Sequence, residues 1–141
     1  MKKIFPVIFF VLIIISGCTK KQEVKLEAFS PEAFAYGLGD SSEVDATVRV
    51  KGFQQNENNG WYSATLSYDV DLVTTKGDTI KSIISKVMDK KQKDKIADIP
   101  LEIQFDLDST YVKGNYKLIF RIKDVLSGKT VKSSTGFNID G

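Results

Sequence analysis

The sequence predicts an all-β fold, an antiparallel two-sheet sandwich of about seven strands, following an apolar N-terminal stretch. Three observations predict it. Apolar and polar residues alternate with period 2 in run after run along the body of the chain. Short Asn-, Gly- and Pro-bearing segments separate those runs. The balance of 42% hydrophobic and 27% charged residues in 141 is that of a globular domain with room for one core.

The runs follow in order. Phe34, Tyr36 and Leu38 alternate in a candidate first strand. Val44, Ala46, Val48 and Val50 alternate with Glu43, Asp45, Thr47 and Arg49. The Asn-rich segment QNENNG at 55–60 reads as a loop. After it, Tyr62, Ala64, Leu66, Tyr68, Val70 and Leu72 share one face, and Ser63, Thr65, Ser67, Asp69 and Asp71 share the other. TKGD at 75–78 reads as a hairpin turn in which Gly77 supplies a positive φ.

Residues 79–98 admit two readings. Ile80, Ile83, Ile84 and Val87 have helical spacing, with Asp78 as an N-cap. The β-branched content and the preceding turn favour a strand through about residue 88, then a lysine-rich loop. Pro100 opens the next strand, where a missing N–H does little harm. There Leu101, Ile103, Phe105 and Leu107 alternate with Glu102, Gln104 and Asp106. Tyr116, Leu118, Phe120 and Ile122 form a further row, LSGK at 126–129 turns the chain, and Val131, Ser133, Thr135, Phe137 and Ile139 share the last face. One apolar face per strand is what antiparallel sheets with a single buried side require.

The C-terminal segment GNYKLIFRIKDVLSGKTVKSSTGFNI resembles the closing hairpin of immunoglobulin-like modules in secreted bacterial proteins. The residues that carry the resemblance are Gly114, Tyr116, Asp124, Ser127 to Lys129, Phe137 and Ile139. The resemblance implies an immunoglobulin-like sandwich and says almost nothing of chemistry, because this architecture hosts many functions. The Cys…Trp…Cys core of antibody domains is absent, since the chain has one cysteine.

That cysteine, Cys18, stands at the end of the N-terminal stretch. Lys2 and Lys3 precede an apolar run from Ile4 to Ile15, broken by Pro6, and the small residues Ser16 and Gly17 follow. A charged start, about a dozen apolar residues and a small-residue site form a secretory signal. The run is shorter than the roughly 20 residues of a membrane span. Ile15-Ser16-Gly17-Cys18 resembles the lipobox of bacterial lipoproteins. The resemblance implies cleavage between Gly17 and Cys18, with a diacylglyceryl group on the Cys18 sulfur. An ordinary signal peptide or an N-terminal anchor with an incidental thiol is the plainer alternative.

The organisation expected is therefore a cleaved signal peptide at 1–17, a lipidated Cys18 with a short polar tether at 18–27, and the sandwich at 28–141. Because position +2 is Thr19 and not Asp, the family's sorting rule favours the outer membrane if the source has two membranes. Loss of Lys2 and Lys3 from 20 basic side chains leaves them equal in number to the 18 acidic ones. A neutral chain argues against nucleic acid as a partner. Lys20 and Lys21 read as solvated tether, or as contacts for anionic head groups.

Candidates for chemistry are few. The chain has no histidine, the usual general base and a common metal ligand. Asp69 with Asp71, and Asp106 with Asp108, lie on strand faces about 7 Å apart. Such pairs suit a glycosidase dyad or calcium, but they are also what the polar face of a strand looks like. Lys86, Lys90, Lys91, Lys93 and Lys95 form a basic patch for anionic lipid, polysaccharide or an acidic partner, diluted by Asp89, Asp94 and Asp98 to the look of a solvated loop. Ser85 with Lys86, and Ser127 with Lys129, lack any visible context for a Ser–Lys nucleophile. Trp61, beside the Asn-rich loop and on the face opposite Tyr62, is the candidate ligand contact, a ring for stacking on a sugar. Covering the sandwich edge is its alternative role.

No catalytic residue, metal ligand or cofactor is expected. The sequence points to a non-catalytic binding or assembly module of the cell envelope, held to the membrane through Cys18. Its expected partner is an envelope protein or a glycan. A small carboxylate-based hydrolase and a purely structural envelope lipoprotein are the rival readings.

Overall fold

The computed structural model describes residues 24–140. The expected signal peptide, the lipobox-like motif with Gly17 and Cys18, and Lys20 and Lys21 lie outside the described residues. The fold is all-β, with eight strands in two antiparallel sheets. The strands are β1 (Glu27–Gly37), β2 (Ser42–Lys51), β3 (Asn56–Asn58), β4 (Trp61–Val73), β5 (Thr79–Gln92), β6 (Ile99–Leu107), β7 (Gly114–Asp124) and β8 (Thr130–Ile139).

One sheet has the order β1-β2-β6. In the other, β4 is central, with β5 on one side and β7 then β8 on the other, and β3 pairs with the start of β4. Two such sheets facing across one core make a sandwich. The order of β1-β2-β6 against β4-β7-β8 matches the A-B-E and C-F-G strands of immunoglobulin-type sandwiches.

The inner faces are the rows that alternation marks. Val44, Val48 and Val50 of β2, Leu66, Val70 and Leu72 of β4, Leu101 of β6, and Leu118, Phe120 and Ile122 of β7 are all but fully buried. Each such side chain contributes on the order of 1.5–3 kcal/mol on leaving water. Tyr116, at the start of β7, is also buried, and its ring stacks on Phe137 with centroids 5.4 Å apart. Its hydroxyl donates to the Val112 carbonyl at 2.6 Å. A tyrosine opening this strand and bonding back to the preceding loop is the tyrosine corner of immunoglobulin-type sandwiches.

Five features differ from the sequence reading. The eighth strand is β3, inside the segment read as loop; Asn59 and Gly60 both have positive φ and close a two-residue hairpin between Asn58 and Trp61. Residues 79–92 are strand throughout, so β5 runs past residue 88 and the loop is confined to 93–98. Phe34 and Tyr36 do lie on a strand, but they point outward while Ala33 and Ala35 pack on the core. Leu38 is past the strand's end and exposed. Packing also begins before residue 28, because Leu26 is buried where its backbone crosses Gly52.

The loops sort to two ends of the sandwich. The chain enters at Val24 beside the 52–55 segment, the Asn59–Gly60 turn, the 93–98 loop and the 125–129 turn. The opposite end carries the 38–41 and 74–78 turns, the 108–113 loop and the last residues of β8.

Candidate functional site

The outer face of the five-stranded sheet holds the first aspartate pair. β5 contains a bulge here: Val70 pairs with Ile84, but Leu72 pairs with Ile80, so β5 has extra residues opposite Asp71. Ser82 takes a positive φ in the bulge, and its amide N–H donates to Asp71 Oδ1 at 2.8 Å instead of to the ladder. Arg121 on β7 donates from Nε to Asp71 Oδ2 and from Nη2 to Oδ1, each at 3.0 Å. Nη2 also reaches Ser82 Oγ at 3.0 Å, and Lys81 Nζ stands 3.5 Å from Asp71 Oδ2.

Asp71 is 1% exposed. Hydrogen bonds from Arg121 hold its carboxyl at about 2, aided by the Ser82 amide and the charges of Arg121 and Lys81, against burial, which acts the other way. Asp69 lies 3.7 Å from Arg121 Nη1 and accepts a hydrogen bond from Ser85 Oγ. The two carboxylates are thus drawn to one guanidinium. A carboxylate that acts as base or nucleophile needs a free lone pair facing substrate, and those of Asp71 are taken up by Arg121 and the Ser82 amide.

The other candidates divide in the same way. Asp106 stands opposite Glu43 on β2, while Asp108 lies beyond β6 and accepts from both the amide and the hydroxyl of Thr110. Those bonds lower the Asp108 pKa. Ser85 Oγ is committed to Asp69, and Ser127 Oγ donates to Asp124 Oδ2 at 2.6 Å, so neither hydroxyl is directed at a lysine. Among the described residues no group of three or more His, Cys, Asp or Glu side chains is placed to hold a metal ion. No helix of the described residues is long and apolar enough to cross a membrane.

Trp61 opens β4 on the outer face, as the alternation with Tyr62 implies, and is 41% exposed. Two ammonium groups flank its ring: Lys91 Nζ is 5.6 Å and Lys93 Nζ 5.7 Å from the centroid. The structure brings these together because Ser63 pairs with Lys91, so the end of β5 and the loop after it lie alongside the start of β4. At the same end, Lys95 lines an open depression of about 650 Å³ together with Val24, Glu57, Tyr62, Leu126 and Lys129. Lys86 does not belong to this group; it faces Tyr68 in register and borders a separate hollow with Glu32, Phe34 and Glu102. Lys90 pairs with Ala64 and, by alternation, projects from the face opposite Lys91.

Asp124, which the sequence marks only as part of the closing-hairpin pattern, is 1% exposed at the end of β7 and has a bonding role that the sequence did not show. Its carboxylate accepts from the Gln54 amide at 2.8 Å, the Leu126 amide at 3.2 Å and Ser127 Oγ. It joins the 125–129 turn to the 52–55 segment and lines the depression that Tyr62 also borders. Its signal in the sequence was a lone Asp where an alternating row ends in a Ser-Gly turn.

No protein-family model matches the chain, and no curated protein matches it. Among solved structures it is similar to the Northeast Structural Genomics Consortium target SoR45, with 9% identity over 79% of this chain and 84% of that one and a TM-score of 0.44. It is also similar to a protein from Archaeoglobus fulgidus, with 13% identity over 82% of this chain and 99% of that one and a TM-score of 0.36. Both likenesses are too remote to bear on function.

Proposed function

We propose that this chain is a lipid-anchored, extracytoplasmic binding or assembly module of the bacterial cell envelope, without catalysis, built on an immunoglobulin-like sandwich. The observation that carries this reading is the joining of a lipobox-like Ile15-Ser16-Gly17-Cys18 to a sandwich whose packing starts as early as Leu26. So short a connection holds the folded body against the membrane, where its loops meet other envelope components. Its partner is an envelope protein or a glycan. In a source with two membranes, Thr19 after the acylated Cys favours the outer one. The commitment of Asp71 to Arg121 and the Ser82 amide speaks against the rival hydrolase, since that pair was its best candidate.

Metabolic labelling with a radioactive fatty acid, on the natural chain and on Cys18→Ala, tests the anchor. Label on the natural chain alone is expected; equal label on both would sink it. A pull-down from detergent-solubilised envelope tests the binding module. Recovery of a specific protein or glycan supports it, and recovery of none favours a purely structural envelope lipoprotein.

A further inference from the structure

The end of the sandwich at which the chain enters is unlike the opposite end. Both ends expose large apolar side chains, Val24, Trp61, Val125 and Leu126 here and Leu38, Ile80 and Val112 there, but only this end has a tryptophan, and the charges differ. Around the four at this end stand Lys91, Lys93, Lys95 and Lys129, none of which forms an ion pair among the described residues. Glu57, Asp94 and the buried Asp124 offset these four lysines only in part, and Glu27 is paired with Lys51 and Asp98 with Arg49 at this end. The far end has the reverse balance, with Asp40, Asp78, Asp108 and Asp140 against Lys76 and Lys113. The domain is therefore polarised along its long axis, positive where the chain enters.

The length of chain ahead of that end restricts what it can meet. From Cys18 to Val24 is six residues, which reach at most about 20 Å when fully extended. A lipid on Cys18 therefore brings this end, and not the acidic one, to the bilayer surface. A tryptophan with an apolar body and a polar N–H suits the headgroup level, and lysines near an anionic surface are attracted within a Debye length.

We propose that this end docks on the phospholipid surface, with Trp61 and Leu126 at the headgroup level and Lys91, Lys93, Lys95 and Lys129 on anionic lipid headgroups. The proposal rests on the anchor at Cys18 and assigns to the bilayer the surface that Trp61 offers. The acidic far end, with the outward Phe34 and Tyr36 on β1, is then the side left open to other envelope components.

Trp61 is the only tryptophan in the chain, so its fluorescence reports on this end alone. The mature protein, purified from its membrane with the N-terminus read by mass spectrometry, is reconstituted into phosphatidylcholine vesicles with or without phosphatidylglycerol. Expected in the anionic vesicles are a blue-shifted Trp61 emission, quenching by headgroup-level spin-labelled lipid and protection from aqueous iodide. The blue shift and quenching should be lost in 1 M salt and in the triple variant Lys91→Glu, Lys93→Glu, Lys95→Glu. Trp61 emission that is unshifted and fully open to iodide, on a chain whose Cys18 carries lipid, overturns the docking and leaves the anchor standing. A response of Trp61 to soluble envelope polysaccharide but not to lipid also overturns it, in favour of a glycan site. An unlipidated Cys18 removes the anchor and the docking together.

Discussion

Arg121 faces Asp69 in the register of β7 against β4, yet its guanidinium closes on Asp71, two residues further along, with both of its shortest carboxylate contacts at 3.0 Å. The β5 bulge explains the choice. The bulge frees the Ser82 amide, Asp71 takes that amide, and the buried carboxylate then needs a cation. Arg121, two-thirds covered, supplies it with a bidentate fork.

Replacing Asp71 with Ala should therefore cost about 1–3 kcal/mol, the usual consequence of leaving a buried donor without its partner. The Ser82 amide would lose its acceptor, and Arg121 would keep only Asp69, at 3.7 Å. Urea unfolding of Asp71→Ala against the natural chain measures this. A loss below about 1 kcal/mol would mean that the bulge re-forms its ladder without the carboxylate.

The same carboxyl makes stability depend on acid. Its pKa in the fold is about 2, below its ordinary 3.8. A depressed pKa means that the stabilisation is fully present above the unfolded value and is lost as pH falls from about 4 towards 2. The contribution at neutral pH is roughly 2 kcal/mol. Unfolding midpoints between pH 5 and pH 2 should fall steeply for the natural chain and less steeply for Asp71→Asn.

Gly52 has a positive φ of 78°, and a Cβ there would overlap the Lys25 carbonyl oxygen. Gly52→Ala should cost more than about 2 kcal/mol, from left-handed strain and from displacement of the entering chain. Hydrogen exchange should show the loss concentrated at residues 25–29 and 52–55. Full protection of those amides in the variant would count against a close crossing.

Tyr116→Phe should cost about 1 kcal/mol, the net worth of one hydrogen bond, because the stacking on Phe137 survives. Thermal unfolding with a matched Phe137→Leu variant separates the two contributions. Equal stability of Tyr116→Phe and the natural chain would show that the bond to Val112 is replaced by water at no cost.

Much of the fold was legible because strand period and burial coincide in β2, β4, β6, β7 and β8. Where one face is packed, only large apolar residues at every second position satisfy it. β1 is different. Its alternation marked a strand but suggested the wrong face, because small Ala33 and Ala35 fit the core while Phe34 and Tyr36 stay outside. Alternation says that two faces differ and does not say which is covered. The Asn59–Gly60 hairpin was obscured by the polarity of β3, three exposed residues with no apolar row to extend.

The basic end was half legible. Lys91, Lys93 and Lys95 are neighbours in the chain, but nothing in their spacing sets them beside Trp61. That juxtaposition follows from the pairing of β4 with β5, a contact between residues some thirty positions apart. Lys86 and Lys90 were grouped with them by sequence and are separated by strand pairing and the pleat.

By itself the sequence determined the all-β class, most strand positions, the glycines at the turns and the lipobox-like start, because each depends on local period or on adjacent residues. Only the tertiary structure decided that Asp69 and Asp71 share Arg121, that Asp124 joins two loops, and that the basic lysines and Trp61 gather where the chain enters. Those arrangements depend on register and on bulges, which two-residue periodicity leaves open: a strand shifted by two residues keeps every side chain on its face and changes every partner.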